Sequence, residues 1–124
     1  MTGVQTCALP ISRINDPRLQ LGDEFVLFNA AALPPFKLGY FNPHGWLAYW
    51  VEGVLFRKSF NVQATVIYPD NNCNAEMYCN AQFVELESLG KMQTLAPGET
   101  CSHQEVWEVE PDLHSLPAEI RKLL

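Results

Sequence analysis

Positive charge is scarce in this chain. Eight Lys and Arg stand against fourteen Asp and Glu, a formal net charge of −6. Nucleic acid and anionic membrane surfaces both call for clustered basic residues; here they are scattered, so neither is an expected partner. Long apolar runs are absent too, and nothing approaches the roughly 20 residues of a membrane-crossing helix. No Gly-rich phosphate loop, nucleophile elbow or dinucleotide fingerprint is present, and no cofactor is expected. The chain also lacks internal repeats and low-complexity stretches.

Cysteine is sparse, and its meaning depends on the opening segment, "MTGVQTCALPIS". That segment has no Lys or Arg and no apolar core of the length a secretory signal needs. It reads as the in-frame translation of a common short-read sequencing adapter, matching Thr2 to Ile11. Residues 1–11 are therefore set aside as an assembly scar, with native sequence expected from Ser12 or Arg13. About 112 residues then remain, enough for one modest domain or the last part of a larger one. The cysteines left are Cys73, Cys79 and Cys101. An odd number with no secretory signal suits reduced thiols better than a disulfide framework. That leans towards the cytoplasm, although the compartment stays open without a native N-terminus. With His103, these cysteines match no standard zinc spacing, and no metal is expected.

What is present is a succession of short β-branched and aromatic runs separated by turn residues. "EFVLF" (24–28), "FKLGYF" (36–41), "WLAYWV" (46–51), "VLFRKSF" (54–60), "ATVIY" (64–68), "AEMYCN" (75–80), "QFVELESL" (82–89) and "HQEVWEV" (103–109) read as strands. Glu52-Gly53 is a two-residue hairpin connection, and "NPHG" (42–45), "PDNNCN" (69–74) and "APGET" (96–100) are turns. Only "PAEIRKLL" (117–124) reads as a helix, with Pro in its first turn. The spacing predicts an all-β antiparallel sandwich over 12–110, followed by a tail and short helix over 111–124.

Alternation along the strands singles out several side chains. Phe83, Glu85 and Glu87 share one face, and two carboxylates at i and i+2 stand about 6.5–7 Å apart. On a solvent face they are a soluble edge. In an enclosed cleft, repulsion and desolvation raise at least one pKa and give a proton-transfer group. Lys37 lies in an otherwise apolar strand, where a charge needs a partner or an exit to water. Aromatic rings beside charges (Tyr40, Trp46, Tyr49, Trp50, Tyr68, Tyr78, Trp107) suit either a core or, at a cleft mouth, sugar-stacking platforms.

The stretch "NAEMYCNAQFVELESLGKMQTLAPGETCSHQEVWEVE" resembles the C-terminal strands of the galactose mutarotase-like superfamily, the aldose 1-epimerases and their uncharacterised relatives. There a "Q-x-Y" strand leads to "L-E-T/S", an "L-x-P-G-E" turn and a closing strand. The matching residues are Glu76-Met77-Tyr78, Leu86-Glu87-Ser88, Leu95 to Glu99 and His103 to Val109. The resemblance implies the C-terminal part of a large antiparallel supersandwich acting on or binding an aldose. It implies Glu87 as the general base that takes the anomeric hydroxyl proton. Tyr78, Glu85, Lys37 and Arg57 become candidate substrate contacts, together with Glu76, which replaces the family's sugar-binding Gln. The family's acid is a His from an upstream strand, for which His44 and His103 are not counterparts. A non-catalytic carbohydrate-binding or structural sandwich within a larger glycan-processing protein is the alternative. In either case part of a sandwich should expose strand edges and an apolar face for the rest of the chain to cover, and so self-associate.

Overall fold

A computed structural model describes residues 6–7, 13–22, 25–30 and 34–112. Over these residues the chain is all-β and antiparallel. Its strands are β1 Thr6–Cys7, β2 Leu19–Leu21, β3 Val26–Phe28, β4 Phe36–Tyr40, β5 Trp46–Val51, β6 Val54–Phe60, β7 Ala75–Cys79, β8 Val84–Ser88 and β9 Glu105–Glu110. They form a four-stranded sheet in the order β1-β4-β7-β8, a three-stranded sheet β5-β6-β9 and a β2-β3 ribbon. β1 falls inside the segment set aside on sequence grounds; Thr6 pairs with Tyr40 and Cys7 with Gly39. The expected helix over 117–124 lies outside the described residues.

Alternation decides which side of the four-stranded sheet is buried. Phe36 and Leu38 of β4, Met77 and Cys79 of β7, and Val84 and Leu86 of β8 face one way and pack with Leu19, Val26 and Phe28 from the ribbon. Phe28 stacks on Phe36 with ring centroids 4.3 Å apart. Fully burying such a side chain stabilises by about 1.5–3 kcal/mol. Arg18 clamps the ribbon's entrance, bonding both carboxylate oxygens of Asp16 and lying 5.1 Å over the Phe28 ring. Further along the same face, Ala75 and Leu86 meet Leu47 and Phe60 of the three-stranded sheet.

The β5–β6 hairpin turns at Glu52-Gly53, both with positive φ (48° and 81°), the conformation a two-residue hairpin turn demands. Gly45 is fixed by space as well as by its φ of 65°, since a Cβ there would lie 2.4 Å from the Phe60 carbonyl oxygen. Two expected features differ. Residues 64–68 form no strand, because no described strand runs beside them; Ile67 is 70% exposed, and the Tyr68 hydroxyl accepts from the Gln63 amide at 2.8 Å. The turn after them is a single helical turn, Pro69–Asn72, with Asp70, Asn71 and Asn72 all left-handed, a conformation that Asn and Asp tolerate best among residues with a side chain.

Candidate functional site

The outer face of the four-stranded sheet carries the charged residues singled out by alternation. One cross-strand row is Gly39, Glu76 and Glu87, and the next is Lys37, Tyr78 and Glu85. The Lys37 ammonium lies 2.7 Å from Glu76 Oε2 and 3.5 Å from Glu87 Oε2. One cation therefore bridges two carboxyl groups on neighbouring strands. Their environments are unlike: Glu76 is 1% exposed, whereas the Glu87 side chain retains 39% of its surface.

Gly39 makes room for this arrangement. A Cβ at that position would lie 3.0 Å from both Glu76 Oε1 and Cys73 Sγ, so the buried carboxyl rests on bare backbone, a common reason for a glycine inside a strand. Among the described residues Glu76 Oε1 has no hydrogen-bond partner. Burial raises the Glu76 pKa above its ordinary value, and the Lys37 ammonium opposes that rise; Asp70 and Glu87 add to it. The hydrogen bond that the Lys37 ammonium donates to Glu76 in turn keeps it charged, raising its pKa. A buried carboxyl that favours its proton beside a solvent-facing carboxyl on a shared cation can hold and pass a proton.

The structure thus brings together Lys37, Glu76 and Glu87, with Tyr78 and Glu85 in the adjoining row. It does not bring Arg57, which lies on β6 with its guanidinium 5.7 Å over the Trp46 ring and 3.8 Å from Glu108. His44 sits in the Asn42–Gly45 turn, where its amide donates to Asn42 Oδ1.

A second polar cluster occupies the opposite face of β8, at the seam between the two larger sheets. Glu105 Oε1 accepts from Lys58 Nζ at 2.8 Å and from the Ser88 hydroxyl, and Glu105 Oε2 accepts from Trp107 Nε1 at 2.8 Å. Burial acts to raise the Glu105 pKa, but the bonds from Lys58, Ser88 and Trp107 outweigh it and bring the value down to about 2. Ser88 Oγ also lies 2.6 Å from His103 Nε2. An ionised carboxylate only accepts, so the single Ser88 proton points to Glu105. His103 then donates through Nε2, and in the neutral imidazole Nδ1 is an acceptor. This order excludes a Ser–His nucleophile pair, in which the imidazole would have to accept the serine proton.

Sequence reasoning missed this cluster. Its signals were a lysine in an apolar strand, as at Lys37, and His103, Glu105 and Trp107 at alternate positions, which in extended chain share a face. Among the described residues no group of His, Cys, Asp and Glu is arranged to hold a metal ion. No known protein family, curated protein or solved structure matches this chain.

Proposed function

We propose that this chain is part of a galactose mutarotase-like β-sandwich and that Glu87 is the general base of an aldose-directed proton transfer. The observation that carries the reading is the Lys37 bridge between buried Glu76 and half-exposed Glu87. Glu87 is the member that a sugar can reach. Its carboxylate takes the anomeric hydroxyl proton; the bond between the anomeric carbon and the ring oxygen breaks as the new carbonyl forms, and that oxygen takes a proton from solvent water, which reclosure returns. Rotation of the open chain and reclosure on the other face give the second anomer. Lys37 holds Glu87 in place, and Glu76 holds Lys37. Neither histidine supplies the acid in this reading: His103 is committed to Ser88 on the other face of β8, and His44 is in a turn.

A non-catalytic carbohydrate-binding domain is the second reading. It is favoured by the position of an open concavity among the described residues, which is lined by His103, Glu105 and Trp107 rather than by Glu87. Polarimetry of freshly dissolved aldoses separates the two. Catalysis at Glu87 requires anomer interconversion above the spontaneous rate and its loss, by about a hundredfold or more, in Glu87→Gln. An equal rate in the variant removes Glu87 from the mechanism, and a spontaneous rate with the unaltered chain leaves the binding reading.

A further inference from the structure

The concavity on the far side of β8 from Glu87 has a volume of about 530 Å³ and is lined by His103, Glu105 and Trp107. It is wide open to solvent, so a ligand there would rest on a surface rather than inside an enclosed cleft. Its aromatic wall is fixed rather than loose. The Trp107 indole N–H is bonded to Glu105, and Phe56 meets the ring edge-on at 5.6 Å and 82°. Trp107 nevertheless remains 67% exposed. Holding a large apolar ring in the open costs hydration free energy, and here a carboxylate and a second ring keep it in one orientation.

Counting donors and acceptors defines the ligand. A carboxylate oxygen has about two lone-pair directions. Both on Glu105 Oε1 are used, by Lys58 and Ser88, while among the described residues Oε2 accepts only from Trp107. His103 Nδ1 is the other open acceptor, by the proton order at Ser88. The cavity thus offers a flat apolar surface and two acceptors, with no open donor among its lining side chains. An anion would find only acceptors. A cation would gain little, because the Glu105 charge is already matched by Lys58 at 2.8 Å. A neutral ring with one C–H face and hydroxyl donors at its rim satisfies each group.

We propose that this cavity is a second carbohydrate site, binding a pyranose with its C–H face on the Trp107 indole and two hydroxyls donating to His103 Nδ1 and Glu105 Oε2. Its ligand follows from these side chains, and the site is independent of proton transfer at Glu87. The two sites lie on opposite faces of β8, so an aldose at one leaves the other unoccupied.

The test uses methyl glucoside and methyl galactoside, which are blocked at the anomeric carbon and cannot ring-open. Each is titrated into the full chain while the three indole N–H resonances are followed in a ¹H–¹⁵N spectrum, with Trp107→Phe identifying the Trp107 signal. The expected result is a saturable shift of that resonance in the millimolar range. It should be weakened about tenfold or more in His103→Ala and unchanged in Glu87→Gln. The Trp46 and Trp50 resonances report that each variant keeps its fold. No saturable movement at Trp107, or equal affinity in a folded His103→Ala, overturns the proposal. Either result leaves the polarimetric test of Glu87 standing, and loss of catalysis at Glu87 leaves this site untouched.

Discussion

Glu76 sets the sign of the chain's pH dependence above the acid range. Its carboxyl is buried, one oxygen has no partner among the described residues, and desolvation outweighs the attraction of Lys37. An acid whose pKa is raised by folding binds more protons in the folded state than in the unfolded one. Stability therefore falls as pH rises from about 4.5 through the folded value, by about 1.4 kcal/mol for each pH unit that separates the unfolded and folded pKa. Glu105 and Asp16 act in the opposite sense. Both are brought down to about 2, Glu105 by hydrogen bonds that outweigh its burial and Asp16 chiefly by its side-chain bond with Arg18. Their contribution is complete above their ordinary values and is lost as pH falls towards about 2. The two trends give a stability maximum in mildly acidic solution. Glu76→Gln removes the titration but keeps the shape, so thermal melts of the variant should lose less between about pH 5 and about pH 8 than those of the unaltered chain. Parallel curves would show that Glu76 ionises as easily folded as unfolded.

The elements themselves were largely readable, because strand alternation is local. β5 and β6 match their sequence runs end to end, and β4, β7, β8 and β9 differ at the ends by a residue or two. Partner choice was not readable. β6 pairs with β9, placing Arg57 opposite Glu108 and Lys58 opposite Trp107, and no local pattern links residues so far apart in the chain. Residues 64–68 have strand composition but no partner strand among the described residues, and context overrides their propensity. The same gap hid the device that extends the β4–β7 pairing. Beyond Tyr40 and Ala75, the Asn74 side-chain amide takes the place of a neighbouring backbone. Its Oδ1 accepts from the Asn42 amide at 2.6 Å and its Nδ2 donates to the Asn42 carbonyl at 2.9 Å. Asn74 is wholly buried and Asn42 nearly so, so truncation strands two backbone groups, each worth about 1–3 kcal/mol. Asn74→Ala is expected to cost about 2–4 kcal/mol in urea unfolding. A loss below about 0.5 kcal/mol would mean that water replaces the amide at no cost.

Taken as a whole, the chain buries one half of its three-stranded sheet and leaves the other half bare. Leu47 and Phe60 pack against the four-stranded sheet, but Trp50, Val51 and Val54 at the hairpin tip, and Val106, Trp107 and Val109 on β9, are 38% to 67% exposed. β9 is also an edge strand, with no further described strand beside it, and an apolar edge is a template for pairing with another chain. Glu108 and Glu110 oppose such pairing by placing two exposed carboxyls on the edge strand, and the net charge of −6 adds to the repulsion. Hydrophobic attraction and electrostatic repulsion thus compete, and only the second is screened, with a Debye length falling from about 30 Å at 0.01 M salt to about 3 Å at 1 M. Self-association should therefore strengthen as salt is added. Sedimentation velocity over that range should show the weight-average coefficient rising with both salt and protein concentration. Val109→Lys, a change on an exposed face, should suppress the rise while leaving the melting temperature within a few degrees. Association that weakens with salt would mean that opposite charges, rather than the bare apolar face, hold the copies together. A monomer under every condition would mean that Glu108 and Glu110 protect the edge without help.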